Sequence, residues 1–268
     1  MVRRPSLEKG QSSKSSSKVR IPSRRPILRF SFLSLFPEFL KAGVSFSLLG
    51  KAEERGLLDF RFFQIRDFAS DRHRTVDEPP FGGGEGMLMK ADVLHRAWKK
   101  AVPRKGVSTC TVFLSPQGQK LDRDLVLELA GYRHLVLVCG HYEGVDERFI
   151  ELCVDREISI GDYVLTGGEL PALVLADAVA RRVPGVVGKE GSVSKDSLET
   201  GLLKYPQYTR PREYQGREVP AVLLSGNHQA IERWRAEQAL ERTGRKRPDL
   251  LESQALKAAA AMLPKSSS

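Results

Sequence analysis

The sequence predicts an α/β fold organised on a parallel sheet, and three observations carry that reading. Apolar runs such as "TCTVFLSP" and "HLVLVCG" lack polar alternation, as strands covered on both faces do. Segments of helical spacing separate these runs. Three runs end in glycine-bearing turns, "FLSPQG", "VCGHYEG" and "IGDYVLTGG", and ligands of open α/β sheets bind outside the carboxyl ends of strands.

Residues 1–29 are basic, Ser-rich and nearly free of large apolar side chains. Such a tail cannot offset its own ordering entropy and is expected to be disordered. Its Arg- and Ser-rich, acid-poor composition also resembles an organellar transit peptide, against the readings of a solvated basic tail or an over-extended start. "RFSFLSLF" then reads as a strand, and Pro37 opens a helix through "EFLKAGVSFSLL". "LLDFRFFQIRDF" reads as a second strand, followed by a polar loop to Gly86. The helix "ADVLHRAWKKAV" leads into "TCTVFLSP", and the helix "DRDLVLELAGY", stopped by Gly131, leads into "HLVLVCG". "DERFIELCV" is helical, "ISIGDYVL" opens as a strand, and "ELPALVLADAVARRVPG" is an apolar helix.

The body therefore spans 30–186. The following stretch is polar and rich in Gly, Lys and Ser, as interdomain linkers are, and the linker is placed at 187–203. Residues 204–268, with "NHQAIERWRAEQALERTG" and "RPDLLESQALKAAAAML", form a small, mainly helical second domain.

Composition bounds the function. The chain has 268 residues, 41% of them apolar, enough for one large or two modest domains with a core. No apolar run approaches the ~20 residues of a membrane span. The net charge is +10, but residues 1–30 hold nine Lys/Arg against Glu8 alone, leaving the rest near +2. Local basic clusters must then carry any nucleic-acid argument. Cys110, Cys139 and Cys153 lie in apolar surroundings without zinc-ligand spacing and read as reduced core thiols of a cytosolic protein.

The motifs of nucleotide hydrolysis, triad chemistry and dinucleotide binding are missing. "FGGGEGM" fails the last of these because Met87 stands where the third glycine would be. The three glycine turns are the candidate site. Glycine lets backbone approach a flat ligand, while Leu114, Ile160 and Leu165 can sandwich its apolar face. Each turn alone reads equally as an ordinary βα connection; Tyr142, Glu143, Asp162 and Tyr163 among the glycines favour a site, since buried polar groups need partners. Arg181 and Arg182 end a helix, where a cation also suits the dipole. Asp196, near Ser192, stands where it could equally cap a short helix. The loop Arg66 to Met89 is long, charged and glycine-rich, and Arg72, His73 and Arg74 could meet phosphates.

"SLFPEF", "RDFASDRHRTVDEPPFGGGEGMLM", "LSPQGQKLD", "CGHYEGVDERF", "ISIGDYVLTGGELPA", "DAVARRVPGVVG", "DSLETGLLKYPQYTRP" and "PAVLLSGNHQAIERWR", in this order from Phe30 to Leu251, resemble the bacterial tRNA (guanine-N1)-methyltransferase (TrmD) family. That family belongs to the SPOUT methyltransferases. The resemblance implies a parallel sheet with a C-terminal trefoil knot binding S-adenosylmethionine, a connection that general topology rules would exclude. It also implies a helical tRNA-binding domain, a cytoplasmic homodimer with active sites shared between subunits, and assistance from Mg2+ without assigned ligands. The implied cofactor contacts are Leu114, Ser115 and Pro116; Gly140, Tyr142 and Glu143; and Ile160, Gly161, Asp162, Tyr163, Val164, Leu165, Gly167 and Gly168. Asp196 falls at the general base and Arg181 at an essential arginine, while Asp77, Gly86 and Ser192 fall at substrate-binding positions. His141 replaces an expected arginine and Lys189 an expected histidine, both outside the implied chemistry.

The implied reaction is methylation of N1 of the guanine 3′ of the anticodon, position 37 of tRNA. Removing the N1 proton places negative charge on O6, so a carboxylate base and an arginine are the residue types required. Arg233, Arg235, Arg242, Arg245, Lys246 and Arg247 offer a phosphate-binding face, diluted by Glu232, Glu237 and Glu241. A SPOUT enzyme acting on another RNA nucleotide is the nearest alternative, and a non-catalytic RNA-binding protein is the rival from another class.

Overall fold

A computed structural model describes residues 27–102, 108–188 and 196–252. Five parallel strands form the main sheet: β1 (Leu28–Ser34), β2 (Leu58–Gln64), β5 (Thr109–Lys120), β6 (His134–Cys139) and β7 (Arg156–Ser159), in the order β2-β1-β6-β5-β7. Two further strands, β3 (Asp77–Glu78) and β4 (Leu88–Met89), pair antiparallel in the long loop after β2.

Helices cover both faces, as the missing polar alternation requires. Phe30, Phe32, Val112, Leu114, Leu135 and Leu137 face one apolar core with α1 (Pro37–Val44), α2 (Ser47–Glu54), α4 (Arg123–Ala130) and α6 (Glu169–Ala180). Their alternate neighbours Leu33, Phe113, Val136 and Val138 face a second core with α3 (Ala91–Ala101) and α5 (Glu147–Cys153). The period-2 geometry of a strand divides each run between the two cores. Phe30 stacks on Phe60 at 5.5 Å and Phe32 on Phe62 at 5.5 Å, welding β1 to β2.

The expected single helix after Pro37 is two. It breaks at Ser45–Phe46, and Ser47 adopts a φ of 57°. Beyond the body the described chain mixes irregular and helical structure, and residues 248–252 are helical. It holds a small hairpin, β8 (Glu213–Tyr214) with β9 (Arg217–Glu218), a 3-10 turn at Ala221–Leu224, and one long helix, α7 (His228–Lys246). Asn227 caps α7 by accepting a hydrogen bond from the Ala230 amide. Most of "RPDLLESQALKAAAAML" and of the basic tail lies outside the described residues. No described helix is long and apolar enough to cross a membrane.

The three cysteines are buried and unpaired. Burial pushes the Cys110 thiol up to about 11 and Cys139 well above its usual range, so these thiols stay protonated at neutral pH.

His134 opens β6 with 1% exposure, its Nε2 2.8 Å from Ser31 Oγ and its Nδ1 without a partner. Burial, helped by Arg29, lowers its pKa from 6.5 to about 4. The fold holds the neutral ring, while the unfolded chain takes up a proton near 6.5. His134 therefore favours folding fully above about pH 6.5, and that contribution fades as pH falls toward 4. It amounts to up to about 3 kcal/mol of acid sensitivity. Urea titrations at pH 7 and 4.5 should show a smaller acid loss in His134→Gln than in the unaltered protein.

Candidate active site

The carboxyl ends of β5, β6 and β7 meet around a cavity of about 530 Å3, within the range of small-molecule sites. The first wall comes from β5. Leu114 and Gln119 both register with Ile158, so the residues between them bulge out of the ladder. The expected strand-end turn "FLSPQG" is thus a bulge inside one strand that resumes at Gln119, and it lays Leu114, Ser115 and Pro116 along the cavity. Gly118 permits it: a Cβ there would sit 2.3 Å from Ile158 N.

The second wall is the turn after β6. Tyr142 adopts a φ of 60°, and the Gly144 amide donates to His141 O at 3.1 Å. Gly140, Tyr142 and Glu143 line the cavity. The third wall is the turn after β7, which contributes Ile160, Gly161, Tyr163, Val164, Leu165, Gly167 and Gly168. Asp162 does not join them. Its side chain is 87% exposed and pairs with Lys120 at 3.0 Å, on the solvent side of the turn.

The second and third turns touch through backbone. The Gly168 amide donates to Gly140 O at 2.9 Å, and a Cβ on Gly168 would lie 2.6 Å from Cys139 Cα. No other residue type allows that approach.

The cavity's charge is one-sided. Glu143, Glu147 and Glu157 line it, with no lysine or arginine among the described lining residues. Burial, and secondarily the nearby Glu147, raises the Glu157 pKa. Such a wall suits a flat ligand that is neutral or cationic, and disfavours a phosphate-bearing one.

Arg181 and Asp196 meet elsewhere, in a hollow of about 710 Å3 beside α1, α4 and α6. Arg181 Nη2 lies 2.8 Å from Asp196 Oδ2, and Lys204 Nζ lies 3.3 Å from Oδ1. Arg182 pairs with Glu199, which holds that carboxyl below its usual range. Gly168 and Arg181 flank the two ends of α6, so at 1.5 Å per residue roughly 18 Å of helix separates the cavity from the pair.

The long loop docks on the second turn. Glu143 N donates to Met87 O and Met89 N to Gly144 O, each at 3.0 Å. Gly86, at a φ of 84°, faces Glu143 so closely that a Cβ would fall 2.4 Å from its Cγ. Asp77 sits in β3 and does not line the cavity; Ser192 lies outside the described residues. Arg74 pairs with Asp67 at 3.3 Å. Arg233 and Arg235 pair with Glu237 and Glu232 on their own helix, which reduces the expected phosphate-binding face.

Comparison with known proteins decides the family. A family model described as tRNA (Guanine-1)-methyltransferase TrmD matches residues 28–253. The chain belongs to this family.

Similar members include the tRNA (guanine-N(1)-)-methyltransferase of Enterobacter sp. (strain 638), 54% identical over 224 residues, covering 84% of this chain and 88% of that protein. The protein of the same name from Desulforudis audaxviator (strain MP104C) is 52% identical over 228 residues, covering 85% and 91%. That of Geobacter sulfurreducens is 52% identical over 224 residues, covering 84% and 91%. The chain thus carries nearly the whole length of an enzyme of this family.

Two residues at the site were not foreseen. His141 was set aside as a departure from the resemblance, and Glu169 was read only as the start of a helix. Both are nearly buried and face each other at 2.7 Å. The signal was a carboxylate placed directly after a glycine pair, at the head of an otherwise apolar helix.

Gly168→Ala should force the second and third turns apart. Isothermal calorimetry should show at least about tenfold weaker binding of the methyl donor, since the added Cβ collides with backbone rather than with a movable side chain.

Proposed function

We infer that this protein transfers a methyl group from S-adenosylmethionine to N1 of the guanine at position 37 of tRNA, immediately 3′ of the anticodon. One observation carries the reading furthest. Every residue the resemblance assigns to the donor, Asp162 excepted, lines one cavity, and its described lining residues include no lysine or arginine.

The residues fit the donor, a molecule with a flat purine and a sulfonium cation. Leu114, Ile160 and Leu165 would hold the purine faces, and the glycine turns would admit its edges to backbone groups. The donor supplies an already electrophilic methyl group when bound, so the protein's task is positioning and activation of N1. Asp196 accepts the N1 proton, and Arg181 stabilises the charge that develops on O6. The entering guanine must separate this ion pair, exchanging Arg181 on the carboxylate for Arg181 on the base oxygen.

That geometry calls for two copies. Roughly 18 Å of α6 lies between a chain's own cavity and its own Asp196, so the base acting at one cavity comes from the partner subunit. An apolar surface supports the assembly: Phe36, Phe39, Leu170 and Val174, on and beside α1 and α6, are each about half exposed. Large exposed apolar patches mark association sites.

The finer organisation follows the same reading. The Gly168–Gly140 contact is the close crossing that a trefoil knot in the body (30–186) requires. The linker (187–203) joins the body to residues 204–268, which bind tRNA, in a cytoplasmic protein. Among the described residues no group of three or more His, Cys, Asp or Glu side chains converges as a metal site. No step is assigned to Mg2+.

Asp196→Ala should bind the donor normally and lose methyl transfer by at least about 100-fold, the usual scale of general-base loss. Labelled donor with tRNA transcripts carrying G or A at position 37, followed by mapping of the modified base, tests both activity and position. Transfer to a different nucleotide would favour another RNA specificity, and no donor binding would favour a non-catalytic RNA-binding protein. Co-expressing Asp196→Ala chains with Gly168→Val chains should restore about a quarter of normal activity, because half the dimers then hold one intact site. A site contained within one chain would show no recovery.

A further inference from the structure

We infer that Glu169 is a positioning residue for donor binding, acting through His141; the inference rests on the reading that the glycine-turn cavity binds S-adenosylmethionine. Glu169 is the first residue of α6 and only 6% exposed. Its Oε1 accepts a hydrogen bond from Ser34 Oγ at 2.6 Å, and its Oε2 lies 2.7 Å from His141 Nε2. Ser34 is fully buried at the end of β1, and its Oγ also accepts from the Phe36 amide at 2.7 Å. One carboxylate thus ties together the ends of β1 and β6 and the start of α6.

The contact at Oε2 requires a proton on Nε2 of the imidazole. That fixes the ring, whose other neighbours include the Phe36 ring at 5.1 Å, the Tyr142 ring at 6.3 Å and Gly167. A Cβ on Gly167 would fall 2.3 Å from His141 Cε1, so the ring rests directly on Gly167 backbone. Gly140, His141, Gly167 and Gly168 all line the cavity. The orientation of the ring therefore sets the spacing of the two turns that would grip the donor. Neither side chain touches Arg181 or Asp196 of its own chain, and neither takes part in removing the N1 proton, so the effect should fall on donor affinity and leave the chemical step largely intact.

The test separates a hydrogen-bonding role from space filling. Glutamine reproduces the reach of Nε2 from position 141, whereas asparagine is too short. His141→Gln should bind the donor within about threefold of the unaltered protein. His141→Asn should bind it about 10- to 100-fold more weakly, the range set by loss of a hydrogen bond to a charged group. The KM for donor should rise in parallel, while the KM for tRNA and the kcat at saturating donor change by no more than about threefold. If His141→Asn does not fold, Glu169→Gln decides: it keeps the shape, removes the charge, and should weaken donor binding with little change in Tm. Equal affinity in the Gln and Asn variants at 141, or unchanged affinity in Glu169→Gln, would overturn the inference. Failure of the unaltered protein to bind the donor would instead overturn the proposed function.

Discussion

The site depends on two stretches of backbone passing closer than side chains permit. The turn after β7 reaches α6 only by pressing Gly168 against Cys139 and Gly140, where its amide finds a carbonyl at 2.9 Å. This contact brings the second and third turns together, and the bulge of β5 closes the cavity from the other side. Without it, three strand ends would carry three separate turns, each with the conformational freedom of a surface loop.

The same crossing creates a problem of burial. A helix that begins beneath the turns places its first side chain among apolar residues, and in this chain that side chain is the carboxylate of Glu169. A buried charge persists only when it is fully hydrogen-bonded. Ser34 and His141 provide the partners, and the amides at the start of α6 provide a favourable dipole. The geometry of the cavity floor is thereby tied to the far end of β1, an element that contributes nothing else to the site.

Helix α6 also divides the chemistry. Its N-terminal end lies under the cavity and its C-terminal end carries Arg181 toward Asp196. On the proposed function, this rigid rod keeps one chain from assembling a whole site by itself. The same proposal gives a role to the apolar residues left exposed on and beside α1 and α6, as the surface that meets a second copy. Catalysis, association and the helix's length are on this account a single constraint.

Much of this was legible in the chain. The unalternating runs of β5 and β6 required helices on both faces, and the glycine turns stand where the cavity lies, because those features depend on local sequence; the single residues of its walls were named through the resemblance to a known family. Asp162 was expected among the cofactor contacts on the resemblance alone, and its exposed side chain pairs with Lys120, 42 residues away in sequence, a meeting that no local pattern records. The bulge in β5 was hidden because both halves of the strand look alike until β7 registers twice with Ile158. His141 and Glu169 stand 28 residues apart, with Ser34 135 residues from Glu169, and no periodicity links them. The sequence by itself determined the layers, the turns and the family, since burial patterns and backbone freedom are written residue by residue. Only the tertiary structure decided which polar groups meet and which end of α6 faces which partner, since those follow from chain segments packed together across long separations.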